Sequence, residues 1–161
     1  MVLTKLKKIT VRKVFLRFKR IPRLLLAKKY NLKGFHLSIL DDKPYCSLII
    51  NHLNNRKKRQ AVVEIGCGLG DILFHLNFNK IYGIDHKSDV LNALIFRLKF
   101  FKKKHQQYIF DLFKFGEQPV SGRYDAVILV NWVHNIEKDV FEAGLAELFH
   151  NNLAAGGEII I

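Results

Sequence analysis

Residues 62–71 read VVEIGCGLGD, an apolar run followed by an acid and then by glycines at positions 66, 68 and 70. Consecutive β-branched residues favour a strand buried on both faces. Glycines spaced in this way form a tight turn in which the backbone itself meets a ligand. A strand that leads into such a turn belongs to α/β architecture, and it restricts the remaining chain to elements that pack around a parallel sheet. The loop is not built for phosphate. A dinucleotide loop, G-x-G-x-x-G, requires glycine at position 71, where this chain has Asp71, and a P-loop requires Gly-Lys-Ser/Thr, which is absent. Glu64, at the strand end, repels a pyrophosphate and attracts an ammonium or sulfonium.

The chain beyond residue 61 supplies the elements that the loop demands. The segment AVVEI (61–65) predicts a first strand, Asp71–Leu76 the start of a helix, KIYGID (80–85) a second strand and Ser88–Phe101 a helix with a stripe of Leu91, Leu94, Ile95 and Leu98. A third strand at QQYIFDL (106–112), a fourth at YDAVILV (124–130), a helix over Glu137–Leu153 and a fifth strand at GEIII (157–161) follow. This alternation predicts an α/β fold, a doubly wound and mainly parallel sheet with helices on both faces and ligands beyond the carboxyl ends of the strands. The second strand ends in Asp85, an acceptor suited to the paired hydroxyls of a ribose. Together, Glu64 and Asp85 describe a nucleoside that carries positive charge.

Charge divides the chain unevenly. Residues 1–60 hold 17 Lys and Arg against Asp41 and Asp42, a net +15, whereas residues 61–161 hold 10 against 12, a net −2. From Val11 the positions Val14, Phe15, Phe18 and Ile21 predict a basic amphipathic helix that Pro22 ends or kinks. A connector over 28–45 leads to a second helix at Tyr45–Leu53, with Leu48, Ile49 and Leu53 on one side. Residues 1–58 thus read as a basic helical extension and 59–161 as the ligand-binding domain. Three roles suit residues 1–35: docking on an anionic membrane surface, binding RNA phosphates, or packing over the ligand site as a lid with solvated charges. Two cysteines, Cys46 and Cys67, suit a reducing compartment and offer no disulfide framework or cysteine-based metal site, so a cytoplasmic setting is expected, peripheral at the inner membrane face if the basic helix docks there. No apolar run approaches the roughly 18–20 residues of a membrane span.

The segment Glu64-Ile65-Gly66-Cys67-Gly68-Leu69-Gly70 resembles motif I of the class I S-adenosylmethionine-dependent methyltransferases, whose pattern is acid-x-Gly-x-Gly-x-Gly. The similarity runs from about Val62 to Ile161 and implies a Rossmann-like methyltransferase fold with S-adenosylmethionine as cofactor. By that resemblance Asp85 contacts the ribose hydroxyls, with His86 beside the adenine. Asp111 meets the adenine amino group, with Leu112 next to it, and Asn131, in YDAVILVNWVHNI, lies near the methionine part. Cys67 would present its backbone to the cofactor and serve as a small filler. The family sheet adds two strands after the fifth, which this chain does not contain. The expected fold is therefore C-terminally truncated, with an apolar edge at 157–161 for a partner to cover.

Catalytic residues are weakly marked because direct methyl displacement rests on alignment and desolvation. The branch that methylates amino groups of adenine or glutamine carries Asn/Asp-Pro-Pro-Tyr/Phe after the fourth strand, and here the residues are Asn131-Trp132-Val133-His134. Cytosine C5 methylation needs a Pro-Cys pair, and neither cysteine follows proline. KPYCSLIINHLN and VNWVHNI resemble methyltransferases associated with bacterial surface polysaccharides. The expectation is methyl transfer to a small-molecule or saccharide acceptor at oxygen; the alternatives are an RNA methyltransferase that uses the basic N-terminus, or a non-catalytic cofactor-binding or interaction module.

Overall fold

The computed structural model describes residues 20–32, 43–130 and 132–161, without the side chain of Asn135. The expected amphipathic positions Val14, Phe15 and Phe18 lie outside the described residues. Helix α1 covers residues 20–29, and α2 is Pro44–Asn54. The strands are β1 (Ala61–Ile65), β2 (Lys80–Asp85), β3 (Gln107–Leu112), β4 (Tyr124–Ile128) and β5 (Leu153–Ile160); α3 is Ser88–Phe101 and α4 is Lys138–Glu147.

All five strands are parallel, in the order β3-β2-β1-β4-β5. Val63 at the centre of β1 pairs with Tyr82 on one side and Val127 on the other. Successive residues of a strand point to opposite faces. Val62 and Val63 are both fully buried, so the sheet is covered on both sides. One layer joins Val62, Ile81 and Ala126 to Cys46 and Leu53 of α2 and to Leu91 and Leu94 of α3. The other joins Val63, Ile84 and Val127 to Phe113, Tyr124 and Leu148. The chain lays down β1, β2 and β3 in one direction and then places β4 on the far side of β1. This reversal opens a crevice at the carboxyl ends of β1 and β4.

Several local expectations are corrected. The segment after the glycine turn forms only a 3-10 turn, Leu73–His75, not a helix over Asp71–Leu76. Residues 71–79 must return along β1, about 16 Å for its five residues, while the same stretch wound as α-helix would advance only about 14 Å. Part of it must therefore stay extended. The helix around Pro22 does not end there, since residues 20–29 are helical throughout. In α2 the buried face is Cys46, Ile49, Ile50 and Leu53, leaving Leu48 70 % exposed. In α3 the stripe is Val90, Leu91, Ala93 and Leu94, with Leu98 packed behind it and Ile95 exposed.

The last helix is shorter than its pattern predicts. α4 gives way to a π-helical turn, Leu148–Asn152, pinned by the Asn152 side-chain amide donating to the carbonyls of Val120 (2.5 Å) and Gly122 (2.9 Å). β5 then begins at Leu153, opposite Tyr124, and resumes regular pairing at Glu158, opposite Ala126. The intervening AAGG loops out, with Gly156 at φ +76°. Glu158 fastens this edge strand to α2 and the turn after it, accepting from His52 Nε2 at 2.9 Å and from Arg56. Among the described residues β5 pairs only with β4.

Candidate functional site

Of the predicted residues, Glu64, Gly66, Cys67, Gly68, Asp85 and His86 gather at the crevice, in a cleft of about 900 Å³. Its floor is the end of β1 and the glycine turn. Gly66, Gly68 and Gly70 all have φ between +54° and +72°, a left-handed backbone that side chains disfavour. The turn is tied to β2: the N–H groups of Gly66 and Cys67 both donate to the Ile84 carbonyl, at 2.8 and 3.1 Å. Gly70 is held close to the domain interior, because a Cβ there would stand 2.6 Å from Leu94 Cδ1.

Glu64 lines this floor and is 5 % exposed. Its Oε2 is buried and has no hydrogen-bond partner among the described residues. Burial pushes its carboxyl well above the ordinary range, the negative charges of Asp71 and Asp85 add to the effect, and Lys43 opposes it. A buried carboxyl with one oxygen unpartnered among the described residues can accept a further hydrogen bond from a donor in the cleft. Cys67 is buried beneath the turn, and burial raises its thiol pKa well above the ordinary value, which suits a packing role and disfavours a nucleophile.

Asp85 lies at the end of β2, 7 % exposed, and its carboxylate already orders the site. Oδ2 accepts from the Gly68 N–H at 3.0 Å and Oδ1 from the Lys87 N–H at 3.1 Å. His86 Nδ1 lies 3.4 Å from Oδ1, with its ring largely exposed in the cleft wall. Asp111 and Leu112 are exposed at the end of β3 and are not among the residues lining the cleft; Asp111 Oδ1 accepts from the Leu112 N–H at 2.8 Å. Phe113 and Lys114 line the cleft in their place. Asn131 lies outside the described residues.

Long-range contacts add Arg23, Arg97 and Lys43, which sequence reasoning passed over. Arg23 of α1 is 6 % exposed and donates to Asp71 Oδ1 in the glycine turn. Arg97 of α3 donates to the same oxygen at 3.2 Å and also to the Leu69 carbonyl. α1 is therefore fastened over the turn, with Leu26 packed against Leu69 and Ala93. The described residues of α1 pack on the glycine turn, the contact that a lid, one of the three roles suited to residues 1–35, would make. Lys43, at the start of α2, lines the cleft. Trp132 donates from Nε1 to the Ile65 carbonyl at 2.5 Å and covers Gly66 so closely that a Cβ there would lie 2.3 Å from the same nitrogen. Its ring meets Phe115 edge-on at 5.3 Å. His134 is exposed at the cleft rim. Among the described residues no group of three His, Cys, Asp or Glu side chains is placed to hold a metal ion.

This topology, with a glycine turn after β1 and an acid ending β2, is the Rossmann-like fold of the class I S-adenosylmethionine-dependent methyltransferases. Solved structures bear out the fold. The chain superposes on DhpI in its SAH complex with a TM-score of 0.62 at 20 % identity, covering 89 % of this chain and 64 % of DhpI. An S-adenosylmethionine-dependent methyltransferase from Clostridium acetobutylicum gives a TM-score of 0.62 at 14 % identity, covering 85 % of this chain and 54 % of that one. The magnesium protoporphyrin IX methyltransferase of Synechocystis with bound SAH gives 0.60 at 14 % identity, covering 88 % and 69 %. The chain spans about half to two thirds of the length of such proteins. No protein-family model matches the sequence, and no curated protein matches it either.

Proposed function

We propose that this chain binds S-adenosylmethionine and belongs to an enzyme that transfers its methyl group to a small-molecule or saccharide acceptor, at oxygen. The observation that carries the cofactor reading is Glu64, a buried carboxylate with an unpartnered oxygen at the floor of a glycine-lined cleft. It would receive the ammonium of the cofactor's methionine part. The backbone at Gly66, Cys67, Gly68 and Gly70 would lie along that part, Asp85 would accept from the ribose hydroxyls while still holding Gly68, and His86 would flank the base. Asp111, Leu112 and Asn131 keep the roles that the resemblance implies, the first two on condition that the end of β3 turns toward the cleft.

When bound, the cofactor supplies an electrophilic methyl group on sulfur. The chain's own residues would position the reactants and exclude water, with Trp132 and Phe115 forming an aromatic wall beside the glycine turn. The acceptor reading rests on the absence of the Asn-Pro-Pro-Tyr signature after β4 and on His134 at the rim, where a base for a hydroxyl would stand. Isothermal titration with S-adenosylmethionine and with its demethylated product tests the cofactor. Folded protein that binds neither, or that binds NAD in preference, would sink the reading. Mass spectrometry of co-purified small molecules tests the acceptor, and a methylated RNA would replace the saccharide as substrate.

A further inference from the structure

We propose that the outer face of α1, together with the exposed C-terminal end of α3, seats the domain on an anionic lipid bilayer. α1 has two distinct faces. Arg23, Leu26 and Tyr30 turn inward onto the glycine turn and α3. On the opposite side Ile21, Leu24 and Leu25 are 43, 49 and 64 % exposed, and at 100° per residue they form one stripe that Lys28 extends. Aliphatic side chains in a row on a charged helix are the pattern of a helix lying in a membrane interface.

On the inner side of α1, Tyr30 meets Phe96 of α3 at 6.1 Å, and Phe96 meets Phe100 at 5.6 Å, so an aromatic row runs from the end of α1 along α3. Phe100 is 73 % exposed, among the exposed cations Lys99, Lys102 and Lys104. Lys29 lies over the Phe96 ring at 4.0 Å, so cations and apolar groups interleave across both helices. Residues 1–19 bring seven more Lys and Arg and no acid up to α1, while the chain from residue 61 onward is net negative. Lys28 on the stripe, Lys29 over Phe96, and Lys99, Lys102 and Lys104 near Phe100 set exposed positive charge among these apolar groups, which is the complement of an acidic headgroup layer. RNA would use the lysines and the exposed ring but would gain nothing from Ile21, Leu24 and Leu25. The aliphatic stripe decides for the bilayer. Among the described residues no helix is long and apolar enough to cross a membrane, so the contact lies in the interface plane.

Co-sedimentation of the whole chain with vesicles tests this independently of any methyl transfer. Vesicles of phosphatidylcholine with phosphatidylglycerol are expected to carry the protein down, and vesicles of phosphatidylcholine alone to leave it in solution. The double variant Leu24→Gln/Leu25→Gln should lower the partition coefficient on the order of tenfold or more, and Phe100→Gln by several-fold, with unchanged melting temperatures. Failure to bind anionic vesicles overturns the proposal. So does binding that falls with salt yet ignores all three substitutions, because that would place the contact in the basic residues alone. A loss of stability in the leucine variant without loss of partition would show that the chain itself covers the stripe. A salt-sensitive shift of an RNA oligonucleotide, with no vesicle binding, would replace the bilayer with nucleic acid.

Discussion

Replacing Glu64 with glutamine separates what this carboxylate costs the fold from what it gives a ligand. The side chain is 5 % exposed, its Oε2 lacks a partner among the described residues, and burial, reinforced by Asp71 and Asp85, raises its pKa well above 4.5. For a group whose folded pKa is raised, the stability it contributes is fully present below the unfolded value and is lost as pH rises through the folded value. Glutamine keeps the shape, carries no charge to desolvate, and can donate toward the neighbouring carboxylates. An unsatisfied buried acceptor costs about 1–3 kcal/mol. In the absence of cofactor, Glu64→Gln should therefore stabilise the protein by on the order of 1–3 kcal/mol near pH 8, or about 2–4 °C in Tm per kcal/mol. Below about pH 4.5, where the parent carboxyl is protonated in both states, the gain should vanish.

Binding should move the other way. The amide cannot offer a charge-assisted hydrogen bond to an ammonium, a loss of about 1.5–3 kcal/mol, or roughly 10–100-fold in Kd. A cation brought against Glu64 also lowers its pKa, so at pH values below the raised pKa binding to the parent should release protons that binding to the variant does not. Urea unfolding across the pH range measures the first effect. Titration calorimetry in two buffers of different ionisation enthalpy measures the second. A variant less stable than the parent at pH 8, or one that binds S-adenosylmethionine as tightly and with the same proton release, refutes the assignment of Glu64 as the cation receptor.

Gly66→Ala places a Cβ 2.3 Å from Trp132 Nε1 at a φ of +72°, and should destabilise the domain by about 1–3 kcal/mol while shifting the fluorescence of the chain's one tryptophan, both read in the same thermal melt. Asp85→Ala should weaken S-adenosylmethionine binding by on the order of 1–3 kcal/mol and also lower Tm, because the Gly68 and Lys87 N–H groups lose their acceptor; unchanged affinity would remove Asp85 from the ribose site. At Glu158 partial burial raises the pKa, but the hydrogen bonds and charges of His52 and Arg56 outweigh it and leave the pKa lowered. Its contribution is therefore present above the unfolded value and lost as pH falls through the folded one, so Glu158→Gln should flatten the acid limb of the stability profile measured by urea midpoints.

The sequence made the sheet legible because its signals are local. All five strands and α3 follow from runs of apolar residues bounded by Gly, Asp and Lys, and Glu64, the glycines and Asp85 lie where strands end. Helix faces were harder to read. Leu48 and Ile95 fit a hydrophobic period yet point to solvent, because which part of an amphipathic arc is buried depends on the neighbouring element. The return from β1 to β2 has too few residues to span the path as an α-helix, a constraint visible only once the strand lengths are known. Arg23 and Lys43 left no pattern at all, since each reaches the cleft from a distant element. The clue to Arg23 was available from the other side: an acid in the glycine loop, where a phosphate site would exclude one, asks for a cation.

That acid also accounts for the spacing of the loop. In a dinucleotide fold the last glycine lets the following helix pack close to the strand. Here Gly70 takes that task, with Leu94 and Phe74 too near to admit a Cβ, and the close approach therefore falls one residue earlier. Position 71 is then free of the packing constraint and can carry a side chain. Asp71 uses this freedom to accept from Arg97, which also holds the Leu69 carbonyl, and from Arg23 of α1. The turn is thus held in place from two helices, where a nucleotide loop relies on the phosphates it binds. It follows that α1 and the glycine turn are coupled, through Asp71 and through Leu26 packed on Leu69. A force on the outer face of α1, as from a bilayer, would reach the cleft through these contacts.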